Sequence, residues 1–168
     1  MNQARADDTR QRLRPVFHFA AFFLLLYLGL QALPGVTAWI IENATVRPAA
    51  ALLGWLDPAL QARAEGARLV SSRGGLQVLP GCEGTDLALL VVSAMLAAPL
   101  RWRWRVAGAA VALLCVFVLN QARLLVLLQV HLAWPSGFGR LHSLWLPLAL
   151  VLLLSALVLA WTSRFQGR

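Results

Sequence analysis

Four apolar runs, each bounded by arginine or by turn residues, leave this chain almost no material from which to build a water-soluble domain. They lie at Pro15 to about Leu33, Thr85 to Leu100, Val106 to Val130 and Ser143 to about Trp161. One bilayer crossing takes about 20 apolar residues, so four crossings use roughly half of the 168 residues. Composition agrees: 60% of residues are apolar, 13% are charged, and the mean hydropathy is +0.69. The expected class is an all-α integral membrane protein with about four transmembrane helices, a small extracytoplasmic hairpin and an interfacial helix. Residues 1–14 read as a cytoplasmic N-terminal segment and residues 15–168 as a single membrane-embedded domain. The first run outlasts a signal-peptide core and no small-x-small cleavage site follows it, so it reads as a retained anchor. Its helix is expected to continue past Pro34 and Gly35 to Ile41 with a kink.

The net charge of +8 comes entirely from arginine. These arginines gather at the ends of apolar runs rather than along a polar face, which is the pattern of a topology signal and not of a nucleic-acid partner. An internal N-terminus places nine of them in the cytoplasm: four before the first run, three in Arg101-Trp102-Arg103-Trp104-Arg105, and two near the C-terminus. Five fall in the longer outer loops. Three crossings would put the C-terminal arginines outside, so four is the consistent number.

Between Glu42 and Pro80 charged residues interrupt short apolar pieces. Pro48 to Leu56 is too short to span and is broken by Asp57 and Pro58, so it reads as a helix lying in the interface. Leu69 to Leu79 has two strand-like arms around Gly74-Gly75, the pattern of a small hairpin. It leads directly into Gly81-Cys82-Glu83-Gly84.

Depth then singles out a few residues. Arg123 lies 17 positions beyond Val106, about 25 Å along a helix, near the far edge of a hydrocarbon core of about 30 Å. Cys82 and His142 flank crossings at that same outer edge. An arginine in a membrane helix costs about 2.5 to 3.5 kcal/mol on insertion scales, which makes it a functional candidate, with snorkelling to the interface as the alternative. Asn120 shares its helix face and can orient the guanidinium or a substrate backbone; an Asn there also serves helix packing. Cys82 is a candidate nucleophile and His142 its proton-transfer partner. His131, eight residues beyond Arg123, is a rival for that role, and His18 lies nearer the cytoplasmic end. Lone cysteines are also common as small apolar residues, which is the reading for Cys115. The two cysteines sit in such different settings that no disulfide is expected. No CxxC, metal-spaced His/Cys cluster or phosphate-cradling glycine motif occurs.

Together, Gly81-Cys82-Glu83-Gly84 after a hairpin, Asn120-Gln121-Ala122-Arg123 in a membrane helix, and His142 after a polar turn resemble the exosortase/archaeosortase family. The resemblance covers about Leu69 to Trp161. It implies a membrane cysteine protease or transpeptidase of the bacterial inner membrane. Its partners would be membrane-anchored proteins bearing a tripartite C-terminal sorting signal: a short motif, a transmembrane helix and a basic tail. Cys82 would be the nucleophile, Arg123 would stabilise the oxyanion or position substrate, His142 would transfer protons, and no metal or organic cofactor would be needed. Glu83 departs from the Ser that many members carry after the cysteine. The short chain and Cys-x-Gly form are similar to a compact type, exosortase H. Two other readings use the same residues: a non-enzymatic scaffold or subunit in which Arg123 pairs with Asp86, and a membrane acyltransferase in which Cys82 takes its acyl group from a lipid.

Overall fold

The computed structural model describes residues 2–33 and 35–167, with side chains from Leu13 onward. Pro34, where a kink is expected, and the side chains of Arg5, Arg10 and Arg12 lie outside the described residues.

Four helical segments run between the same two ends of the molecule. Helix α1 (Asn2–Gln31) carries Pro15 inside it without a break. Helix α4 (Thr85–Ala97), helix α5 (Trp102–Ala133) and helix α7 (Leu146–Phe165) make up the rest of the bundle. Leu13–Gln31, Trp102–Ala133 and the Pro135–Phe165 segment are each long and apolar enough to cross a membrane. Helix α4 is apolar but has only 13 residues, about 20 Å at 1.5 Å per residue. The run predicted to reach Leu100 stops early because the backbone turns extended at Ala98, just before Pro99.

The helices alternate in direction. The start of α1, at Pro15 and Phe19, lies beside Ala97 to Leu100 and beside Thr162 and Gln166. Its other end, at Leu30, lies beside Glu83 and Thr85. Val91, Met95, Ala112, Val116 and Leu154 form the buried centre of this bundle. Outward-facing residues such as Leu114, Leu152 and Leu159 stay exposed, and no residue of Leu13–Gln31 is buried. In a bilayer such surfaces contact lipid at no cost, so the small buried core reflects the solvent and not poor packing.

Beyond the bundle sits a compact cap. Helix α2 (Val36–Trp39), a wide π-type stretch (Ile40–Val46) and helix α3 (Arg47–Leu56) follow one another, then a 3₁₀ turn at Pro58–Leu60. Strands β1 (Arg63–Glu65), β2 (Arg68–Ser71) and β3 (Gly74–Gln77) make an antiparallel sheet in the order β1-β2-β3. Ile41, Val46, Ala49, Leu53, Leu60, Leu69 and Val78 bury themselves against Leu124 and Leu128 of α5. The helix expected over Pro48 to Leu56 exists as α3, and its apolar stripe faces the cap core while Trp55 stays 78% exposed.

Two expectations are corrected. The hairpin turn is Ser72-Arg73, with Ser71 paired to Gly74, so the glycines belong to β3. A side chain on Gly75 would meet the Leu69 carbonyl oxygen at 2.9 Å, and one on Gly74 would meet Leu132 at 3.0 Å. Gly75 is glycine for close approach, whereas Gly74 also holds a φ of 142° that L side chains rarely adopt. The expected polar turn from His131 to His142 is instead almost wholly helical: α5 continues to Ala133, Trp134 breaks it, and helix α6 (Pro135–Arg140) leads through a π-type stretch (Leu141–Trp145) into α7. Pro135 opens a helix here, as proline does readily in a first turn. Gly137 lies under the Trp134 ring, where no side chain fits.

Candidate active site

Cys82 sits on the loop that joins β3 to α4. Gly81 and Gly84 adopt φ of 89° and 85°, a left-handed conformation that glycine takes without steric cost. The loop is tied down by the Cys82 N–H donating to the Leu79 carbonyl at 3.0 Å. It is also tied to α5: the Asn120 side-chain amide donates to the Glu83 carbonyl at 2.9 Å. A side chain on Gly84 would stand only 3.2 Å from Asn120, so the loop and α5 meet closely because Gly84 has none.

The structure brings Cys82 and His142 together from positions 60 residues apart: Sγ lies 3.8 Å from Nε2. Arg123 lines the same cavity of about 180 Å³, along with Leu76 to Leu79, Leu124, Leu127 and Phe138. Arg123 is only 8% exposed, and its Nε has no hydrogen-bond partner among the described residues. An unpaired buried cation is costly, so this guanidinium is suited to a carbonyl oxygen or an anion that enters the cavity. Among the described residues no ion pair joins it to Asp86, whose carboxylate instead lies near Gly81.

Phe138 contacts both histidines. Its ring stacks on His142 with centroids 5.5 Å apart and 5° between planes, and His131 meets it edge-on at 5.4 Å. His142 adjoins the thiol and lines its cavity, whereas His131 does not line it. His18 lies three residues after Pro15, at the opposite end of the bundle. Asn120, expected to position a substrate, is 2% exposed and does not line the cavity; it holds the cysteine loop instead. Cys115 is packed among bundle residues.

Several contributors went unread in the sequence. Phe138 is four residues before His142, a helical spacing, but reading that segment as a turn hid it. Gln121 donates to the Ala44 carbonyl at 3.2 Å, fastening α5 to the cap. Glu83 is buried with Oε2 unpartnered, on the side of the loop facing Leu30 and Leu113. Gln121 and Glu83 have no spacing that marks these contacts in advance. Among the described residues no cluster of His, Cys, Asp or Glu could hold a metal ion.

Residues 10–142 match the family described as transmembrane exosortase (Exosortase_EpsH). No curated protein and no solved structure matches the chain. The matched region contains Cys82, Asn120, Arg123 and His142 and covers most of the sequence. This multi-pass membrane chain therefore belongs to the transmembrane exosortase family, a membership that suggests a sorting-related membrane cysteine peptidase.

Proposed function

We propose that the chain cleaves tripartite C-terminal sorting signals of exported proteins, as a cysteine protease or transpeptidase, at the extracytoplasmic face of the bacterial inner membrane. The observation that carries this reading is the 3.8 Å approach of Cys82 Sγ to His142 Nε2 in a cavity shared with the buried Arg123, whose Nε has no partner among the described residues. The orientation is supported by charge. Arg101, Arg103, Arg105 and Arg164 sit at the end of the bundle opposite the cavity, where a cytoplasmic boundary would hold them.

The chemistry follows from the geometry. His142 Nε2 takes the thiol proton as Sγ attacks the scissile carbonyl carbon, and the carbonyl electron pair moves onto oxygen. The Arg123 guanidinium stabilises that oxyanion inside a cavity walled by leucines, where a fixed charge is worth more than in water. The intermediate collapses with rupture of the C–N bond, and His142 returns its proton to the leaving amine. The thioester on Cys82 is then attacked by water or by an acceptor amine, which yields its proton through His142 and restores the thiol. A substrate anchored by its own helix would present the bond near the outer interface, where water and an acceptor have access.

Co-expression of a reporter carrying a tripartite signal from the same genome tests the proposal. Wild type should give a size shift that Cys82→Ala and Cys82→Ser both lose at matched abundance. Cleavage by Cys82→Ala equal to wild type would remove the nucleophile assignment. If no cognate signal is ever processed, the scaffold reading takes precedence; a lipid-derived acyl group found on Cys82 would favour the acyltransferase.

A further inference from the structure

We infer that the open edge of β3 is the docking site for the peptide substrate, which adds to the cap sheet as a fourth strand and so delivers its scissile bond to Cys82. This rests on the proposed peptide cleavage and specifies how the substrate is held.

The register decides which backbone groups are free. The Val78 N–H donates to the Ala67 carbonyl at 2.9 Å. In an antiparallel ladder bonded and non-bonded pairs alternate. The Leu69–Leu76 and Ser71–Gly74 pairs are therefore bonded, and the Val70–Gly75 and Arg68–Gln77 pairs are not. The N–H and C=O of Gly75 and Gln77 point away from β2, and they have no partner among the described residues.

The two edges of the sheet differ. The outer edge, β1, carries Arg63 and Glu65 in an ion pair at 2.7 Å. Charged side chains are one way natural sheets block strand addition. The β3 edge, Gly74-Gly75-Leu76-Gln77, has no charge and no proline, and Gly75 and Gln77 are exposed. An unguarded edge is the feature that peptide-binding domains use when they capture an extended segment.

The edge is also continuous with the chemistry. Leu76, Gln77, Val78 and Leu79 line the cavity that holds Cys82, together with Phe138 and His142. An extended segment laid on β3 enters that cavity. Four residues cover about 13 Å at 3.3 Å per residue, so the strand can grip the few residues that precede the scissile bond. The chain beyond the bond continues into the membrane, which makes the added strand run parallel to β3. Main-chain pairing supplies affinity, and the apolar walls select the alternate side chains that face them.

A synthetic peptide reproducing the cleaved reporter, with a single backbone N-methyl group at each of the four positions before the bond in turn, tests this on detergent-purified full-length protein. The expected result is alternation: methylation at every second position lowers kcat/KM by about tenfold, and the positions between stay within about twofold. Gln77→Pro, which deletes one edge N–H at a place where proline is structurally tolerated, should lose about tenfold as well. A flat profile across all four positions with normal cleavage of the unmodified peptide would overturn the strand pairing and leave the proposed function standing. Failure to cleave the unmodified peptide would remove both.

Discussion

The two ends of the helical bundle treat polar groups differently. At the arginine-rich end most contacts are completed. The Trp161 indole N–H donates to the Trp104 carbonyl at 2.9 Å, Arg105 caps the Leu100 and Leu96 carbonyls, and Phe165 stacks on Trp104 with ring centroids 4.0 Å apart; the buried Trp104 indole N–H is the exception, with no partner among the described residues. At the cysteine end more buried polar atoms have no partner among the described residues: Glu83 Oε2, Thr85 Oγ1, Asn120 Oδ1, Arg123 Nε and His142 Nδ1. Each such atom costs about 1 to 3 kcal/mol if nothing pairs with it. Completed contacts suit an anchor, whose task is to stay in place. Of the unpartnered atoms, Arg123 Nε and His142 Nδ1 belong to residues that line the cavity beside the thiol, and they suit a site that a substrate finishes.

That contrast is open to attack at both ends. The largest effect should come from Arg123→Ala and His142→Gln, each lowering reporter processing by about 10²- to 10³-fold with protein abundance retained. Loss of abundance in Arg123→Ala would move the residue into the structural class, and a matching loss in Asp86→Ala would revive their pairing. In the same assay His131→Gln should stay near wild type, because His131 does not line the cavity that holds the thiol.

A smaller effect is expected at the clamp. Asn120→Ala leaves the Glu83 carbonyl without its donor and should cost about tenfold in kcat by letting the cysteine loop drift from Arg123. Its KM should change little, since Asn120 does not line the cavity. A change in KM alone would return it to direct substrate contact.

The smallest effect on processing is predicted at the anchored end. A methyl on Gly108 would stand 2.6 Å from the Trp161 Nε1 and 3.0 Å from the Met95 sulfur. Gly108→Ala should therefore lower stability by about 1 to 3 kcal/mol through overpacking, read as a lower midpoint in detergent thermal unfolding. Processing per folded molecule should be unchanged. A large loss of processing per folded molecule would mean that the two ends are mechanically linked.

Much of this was legible because helices convert residue counts into height. Counting from Val106 puts Arg123 near the edge where Cys82 and His142 flank their helices, and the structure gathers all three around one cavity. The contact itself was not legible, since depth says nothing about which faces meet. The cap was read least well. Arg63-Ala64-Glu65 forms a strand through pairing with β2 and lacks the alternating apolar pattern that announces one. Gly74 and Gly75 resemble turn signals in sequence, but the atoms they approach belong to Leu132 of α5 and to Leu69 on the paired strand, neighbours that no local pattern contains. Gly137 and Phe138 differ: their contacts with Trp134 and His142 are three and four residues away, and they become legible once that segment is recognised as helical.

Helix α5 has 32 residues, about 48 Å of unbroken rod where the hydrocarbon layer is about 30 Å thick. Its first two thirds fit the bundle and its last third is the floor of the cap. On the proposed placement, the height of the cavity above the membrane midplane is set by a rod and not by a hinge. Wetness at the thiol would then be a property of the surrounding lipid: a thicker bilayer would raise hydrocarbon toward Cys82, and a thinner one would leave it standing in water.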